Sequence, residues 1–250
     1  MEKTFNSTHK KILKYFLTGF PDVNAALNHR DIKKVYRLAE TIIGKSNVWL
    51  VSELLVSYGI DPIKELHYVP SYFMTSKETK NFEKINLSDA TSIYPYAFCE
   101  ANVVEVTGTD NIRFIHTSAF SSSWLAKADF KNVDNLGDRA FAYNINLREL
   151  PIQNCKSLVV IPDGCFTGCV RLEKIVIPDS VKMIENNAFS FCRQINEVHI
   201  PAGIEGISST AFNMCIINNF YFPAGEARFK EMKQANPKIF NGTEIKKVIY

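Results

Sequence analysis

The sequence has no apolar run near the roughly 18–20 residues that cross a bilayer. Its opening residues, MEKTFNSTHKKILKYFLTGF, are apolar only at Ile12-Leu13 and Tyr15-Phe16-Leu17, interrupted by Lys14. They lack the apolar core and small-residue cleavage site of a signal peptide. The expectation is a cytoplasmic product with no membrane span. Cys-x-x-Cys is absent and no His stands at finger-like spacing, which disfavours zinc. His-Glu-x-x-His, Gly-x-Ser-x-Gly and the phosphate-binding loop are also missing. The five histidines are scattered, and no carboxylate pair is marked as an acid–base couple. His116 precedes TSAFSSS, but those serines lie in a turn where small polar residues are expected. These gaps predict no catalytic residue, no metal and no cofactor. Excess charge is missing too. The 29 basic and 26 acidic residues leave a net +3, too little for the electrostatic footprint of nucleic-acid binding.

What is present is a repeat. The stretches RLEKIVIPDSVKMIENNAF and QINEVHIPAGIEGISSTAF have equal length and start 23 residues apart. A phenylalanine series runs through the chain: Phe98, Phe120, Phe141, Phe166, Phe189 and Phe212, with Phe73 expected to begin it. The residue before each of the six is small: Ala97, Ala119, Ala140, Cys165, Ala188 and Ala211. Five residues before each stands an aliphatic side chain, Ile93, Ile115, Leu136, Ile161, Ile184 or Ile207. Hexads approximating L-x-x-L-x-L follow: FEKINL, VVEVTG, LAKADF, LRELPI, LEKIVI, INEVHI and INNFYF, with weak spots at Gly108 and Ala128. Their last two apolar positions are two apart, the period of a strand. A period of 21–25 residues carrying this hexad is a leucine-rich-repeat signature. Each coil buries its apolar side only against its neighbours, so stacking is obligatory. Cys169, Cys192 and Cys215 each stand three residues after a Phe and predict a buried column of reduced thiols.

IPDSVKMIENNAFSFC and IPAGIEGISSTAFNMC resemble the BspA-like subclass of leucine-rich repeats. The resemblance covers about residues 68–225 and is most specific from residue 158 onward. It implies binding rather than catalysis. Members occur on bacterial and protozoan surfaces, and short signal-less ones occur in phages. The resemblance thus implies a phage-encoded binder of a host protein, or a surface adhesin if the chain is exported.

The first seventy residues differ. Ser7 or Thr8 can cap a helix with Ile12, Leu13, Phe16 and Leu17 on one side. Asp31 opens a second, with Ile32, Val35, Tyr36, Ala39, Ile42 and Ile43 at helical spacing. Ser46 opens a third, with Val51, Leu54, Leu55 and Tyr58 inward and Gly59 as its stop. Asp61-Pro62 starts a fourth. The expected fold class is α+β. A helical N-terminal domain (1–67) precedes a leucine-rich-repeat solenoid (68–225, about seven coils) with a parallel β-sheet on its concave face. A helix-plus-strand cap (226–250) follows. The helical domain covers the open end of the solenoid or serves as a docking or nucleic-acid module. Lys10, Lys11 and Lys14, or Lys33 and Lys34, are its basic candidates.

Within each hexad the residues either side of the middle apolar position point away from the core. The first outward column reads Lys84, Glu105, Lys127, Glu149, Lys174, Glu197, Asn219, alternating in charge through six coils. The second reads Asn86, Thr107, Asp129, Pro151, Val176, His199, Tyr221 and ends apolar and aromatic. A protein partner is therefore expected over Val176, His199 and Tyr221, rimmed by Lys174 and Glu197. A nucleic-acid-associated regulator led by the helical domain is the alternative.

Overall fold

The computed structural model describes residues 7–74 and 83–250; Phe82 of the first hexad lies outside them. Five helices come first: α1 (Ser7–Gly19), α2 (Pro21–Asn28), α3 (Ile32–Ile42), α4 (Trp49–Ser57) and α5 (Pro62–Leu66). Asp31 accepts from the Lys34 amide, and Asp61 from the Ile63 and Lys64 amides, satisfying first-turn donors as expected. The sequence reading missed α2, which opens with Pro21 at its first helical position. Two expectations need correction. The third helix starts at Trp49, after a 3-10 turn at Lys45–Asn47, rather than at Ser46. Tyr58 is 64% exposed, because α4 ends at Ser57 and Gly59, at φ +72°, turns the chain away.

Short parallel strands follow: β1 (Lys84–Asn86), β2 (Ser92–Ile93), β3 (Glu105–Thr107), β4 (Phe114–Ile115), β5 (Asn135–Leu136), β6 (Val160–Ile161), β7 (Lys174–Val176), β8 (Met183–Ile184), β9 (Ile195–His199), β10 (Gly206–Ile207) and β11 (Ile216–Tyr221). A helix, α6 (Glu226–Ala235), and a last strand, β12 (Glu244–Ile249), complete the chain. The strands form two rows. β1 pairs with β3, and β7, β9, β11 and β12 form a four-stranded sheet; these are the hexads. The second row contains β2-β4-β5 and β6-β8-β10, the aliphatic positions before each Phe. The chain is a parallel β-solenoid preceded by helices, an α+β fold.

One continuous core fills the solenoid, from Val69 to Phe229 and Ile239. The rings of Phe98, Phe120, Phe141, Phe166, Phe189 and Phe212 stack along it, with neighbouring centroids 4.9, 5.4, 5.2, 5.4 and 5.2 Å apart. The start of the column departs from expectation. The Met74 amide donates to the Ala97 carbonyl at 2.7 Å, as the Phe98 amide does to Ala119. Val69, five residues before Met74, bridges Ile93. Met74 thus holds the anchor position, and Phe73 takes the place of the small residue before it. The backbone is left-handed two residues after each Phe, at Glu100, Ser122, Tyr143, Gly168, Phe191 and Met214. For a non-glycine residue this costs about 1–2 kcal/mol.

Candidate functional site

The hexad row presents the candidate surface. Val176 pairs with His199, and His199 with Tyr221, in strict register across β7, β9 and β11. Ile175, Val198 and Phe220, between the outward positions, are buried. The side chains at 176, 199 and 221 therefore share one face and are half-buried there. The His199 and Tyr221 rings lie flat on each other, with centroids 4.2 Å apart and planes at 6°. His199 Nε2 is 3.0 Å from Glu197 Oε2, and Lys174 Nζ is 3.6 Å from the same oxygen. The His199 hydrogen bond first, then Lys174, holds the Glu197 carboxyl below its ordinary range despite partial desolvation. The five residues expected to form the site are thus brought together, and Glu197 ties the His–Tyr stack to the charged column.

The strip extends further than expected. β12 pairs with β11, placing Ile249 beside Tyr221 and Lys247 beside Asn219. The spacing Ile245-x-x-Val248-x-Tyr250 repeats the hexad and could have shown this.

The charged column pairs in two blocks. Glu105 lies 3.4 Å from Lys84 and 3.3 Å from Lys127. Lys174 and Glu197 form the second block. Between Lys127 and Glu149 no strand or bridge joins the hexads among the described residues. Pro151 supplies no amide hydrogen there and Ala128 little bulk, although the Phe130 amide still reaches the Pro151 carbonyl at 2.7 Å. A groove of about 530 Å³ opens at this break, lined by Lys127, Arg148, Glu149, Glu173 and Lys174 among others. Its charges are of both signs, and Arg148 is hydrogen-bonded to Glu173.

Little chemistry gathers elsewhere. Among the described residues no three His, Cys, Asp or Glu side chains are grouped to hold a metal ion, and no helix is long and apolar enough to cross a membrane. His116 stands beside the Tyr94 and Phe114 rings, while the Ser123 hydroxyl is buried and donates to Asn144. Lys10, Lys11, Lys14 and Lys33 are exposed on α1 and α3.

A model described as the BspA type leucine-rich repeat region matches residues 71–160 and 159–249, with six copies. A leucine-rich repeat protein from Bacteroides ovatus is 21% identical, over 56% of this chain and 43% of its own, at a TM-score of 0.44. A leucine rich cell surface protein from Faecalibacterium prausnitzii is 18% identical, over 60% and 34%, at 0.41. A leucine-rich repeat protein from Eubacterium ventriosum is 20% identical, over 56% and 45%, at 0.42. The chain spans less than half the length of each of these. A search of curated proteins finds no match.

Proposed function

Since the chain belongs to the BspA-type leucine-rich repeat family, we propose that it is a non-catalytic protein–protein interaction module acting inside the cell, with its partner seated over Val176, His199 and Tyr221. The family suggests protein–protein interaction or surface adhesion and is typically non-catalytic. The observation that carries the reading is the His199–Tyr221 stack. It is a pair of rings packed face to face across two in-register strands, half-buried and held in place through Glu197. Aromatic side chains ordered before binding lose little entropy on docking, which is what an interface anchor requires. Val176 and Ile249 extend the apolar strip on either side, with Lys174 and Glu197 at its rim. Cys169, Cys192 and Cys215 each lie within hydrogen-bonding reach of a backbone carbonyl, an arrangement that suits reduced thiols.

The test is affinity capture from the source cells with mass spectrometry, followed by titration of the captured partner. The double variant Tyr221→Ala, His199→Ala should fold as the wild type and bind at least about tenfold more weakly. Unchanged affinity in that variant would remove the surface from the account.

A further inference from the structure

A second apolar surface lies on the turns that follow each Phe from Phe120 onward, away from the hexad outward columns, and ends at Ile216, the first residue of β11. Tyr143, Phe191 and Met214 stand two residues after their Phe, and Trp124, Ile145 and Ile216 stand four after theirs. They are exposed by 54%, 42%, 49%, 54%, 52% and 41% in that order. The position between, three after the Phe, is buried in every one of these turns. The apolar side chains therefore form two parallel rows on one flank. We propose that this flank docks an amphipathic helix of a partner protein whose apolar face is bordered by acidic side chains.

Three observations carry the proposal. The first is the choice of residue. Tyr143, Phe191 and Met214 occupy left-handed backbone at φ 59°, 63° and 59°, while the matching position of the intervening coil is Gly168 at φ 70°. The turn accepts glycine, and large exposed apolar groups there add nothing to the core. The Tyr143 ring also lies over Gly168, where an added Cβ would come within 2.4 Å of its Cδ1. The row thus continues across the coil that has no side chain.

The second is charge. In the turns at 121–124, 142–146, 167–171, 190–194 and 213–216, the only charged residues are Arg171 and Arg193. Both are exposed, and neither has a carboxylate partner among the described residues. Arg171 reaches only Asn146 Oδ1, at 3.4 Å. A groove of about 390 Å³ lined by Arg193, Ile216, Lys246 and Glu173 adds a further cation; Glu173 is engaged by Arg148, and another carboxylate at this end, Glu244, is in register with Ile216 on β12. Acidic groups complement this rim.

The third is pitch. The coils are joined by in-register parallel strands, which lie about 4.7–4.9 Å apart, and the Phe rings stacked between them are 5.2–5.4 Å from centroid to centroid. An α-helix rises about 5.4 Å per turn. A helix laid along the solenoid axis therefore meets about one coil per turn over a few coils, with side chains spaced i, i+4, i+7. An extended strand repeats about every 6.7 Å on one face and falls out of step within two coils.

The probes are synthetic helices of roughly 18 residues with a leucine stripe, about five turns. One has a glutamate rim, one a lysine rim, and one a scrambled order. The glutamate-rimmed helix should bind the full chain about tenfold more tightly than the other two. Phe191→Gly, Met214→Gly should weaken that binding about tenfold without lowering the Tm, since both positions accept glycine. Arg171→Ser, Arg193→Ser should abolish the preference between rims. Tyr221→Ala, His199→Ala should bind the helix as wild type does, which separates this flank from the hexad surface. No binding of the glutamate-rimmed helix, equal binding of the scrambled one, or full binding by the glycine pair would overturn the proposal. So would sedimentation with phosphatidylserine vesicles in the absence of helix binding, which would make the flank a lipid surface.

Discussion

Three residues after each Phe from Phe141 to Phe212, one side chain closes the turn to the coil before it. Cys169, Cys192 and Cys215 donate from Sγ to the carbonyls of Phe141, Phe166 and Phe189 at 3.2, 3.3 and 3.0 Å. Asn144 does the same to Phe120 at 2.7 Å, while its Oδ1 accepts from Ser123 Oγ and the Leu125 amide. The 23-residue spacing made the thiol column legible in the sequence. The donor role was not legible, because Asn and Cys look unrelated until the backbone shows them facing one carbonyl. The left-handed positions were hidden for the same reason: Tyr, Phe and Met do not announce a positive φ. Burial pushes the Cys169 and Cys215 thiols up to about 12 and Cys155 up to about 11. A raised thiol pKa favours the fold below the unfolded value near 9 and loses that contribution as pH climbs toward the folded value. At pH 8 these groups are therefore protonated and inert in the native state. Titration with a thiol reagent should label Cys99 alone in the native protein, since it is only half-buried. All six should react after denaturation without reductant; a denatured count of two or fewer would mean that the thiols are bridged.

At the scale of elements, the repeat was legible wherever its spacing held and lost wherever it stretched. The phenylalanine spacing points to Phe73 as the first anchor; hydrogen bonding gives that place to Met74, a poorer fit to the pattern. The break beside Pro151 shows faintly in the sequence as Ala128 and a proline on facing hexads. The final strand looks from the sequence like part of a cap because α6 separates it from Phe212. Yet β12 pairs with β11 in hexad register, and Thr243 Oγ1 donates to the Phe212 carbonyl at 2.7 Å, as the cysteines do further up the column. Phe240 packs this end against Phe212, Phe220 and Phe229 at 6.3, 5.2 and 5.8 Å. Being only half-buried, it should cost less than a core Phe when truncated: about 2 kcal/mol for Phe240→Ala, against 3–5 for full burial. Amide exchange in β12 should accelerate while α1–α5 stay unchanged. Unaltered protection of β12 would mean that the strand is held by its ladder alone.

For the whole molecule, stacking turns a short sequence pattern into long columns, so a side chain's role is set by its place in the coil. The outward columns could be read from the hexads because strand alternation is a rigid rule. The ring stack of His199 and Tyr221, and its tie to Glu197, needed the register between strands. The turn flank needed the conformation of loops, which no periodicity encodes. The account rests on the hexad sheet being the recognition surface, and the direct measurement is amide hydrogen exchange of the full chain with and without its captured partner. Protection should rise in β7, β9 and β11, around Val176, His199 and Tyr221, with residues 7–66 unchanged. Protection confined to residues 7–66 or to the turn flank, with those three strands exchanging as in the free protein, would contradict it.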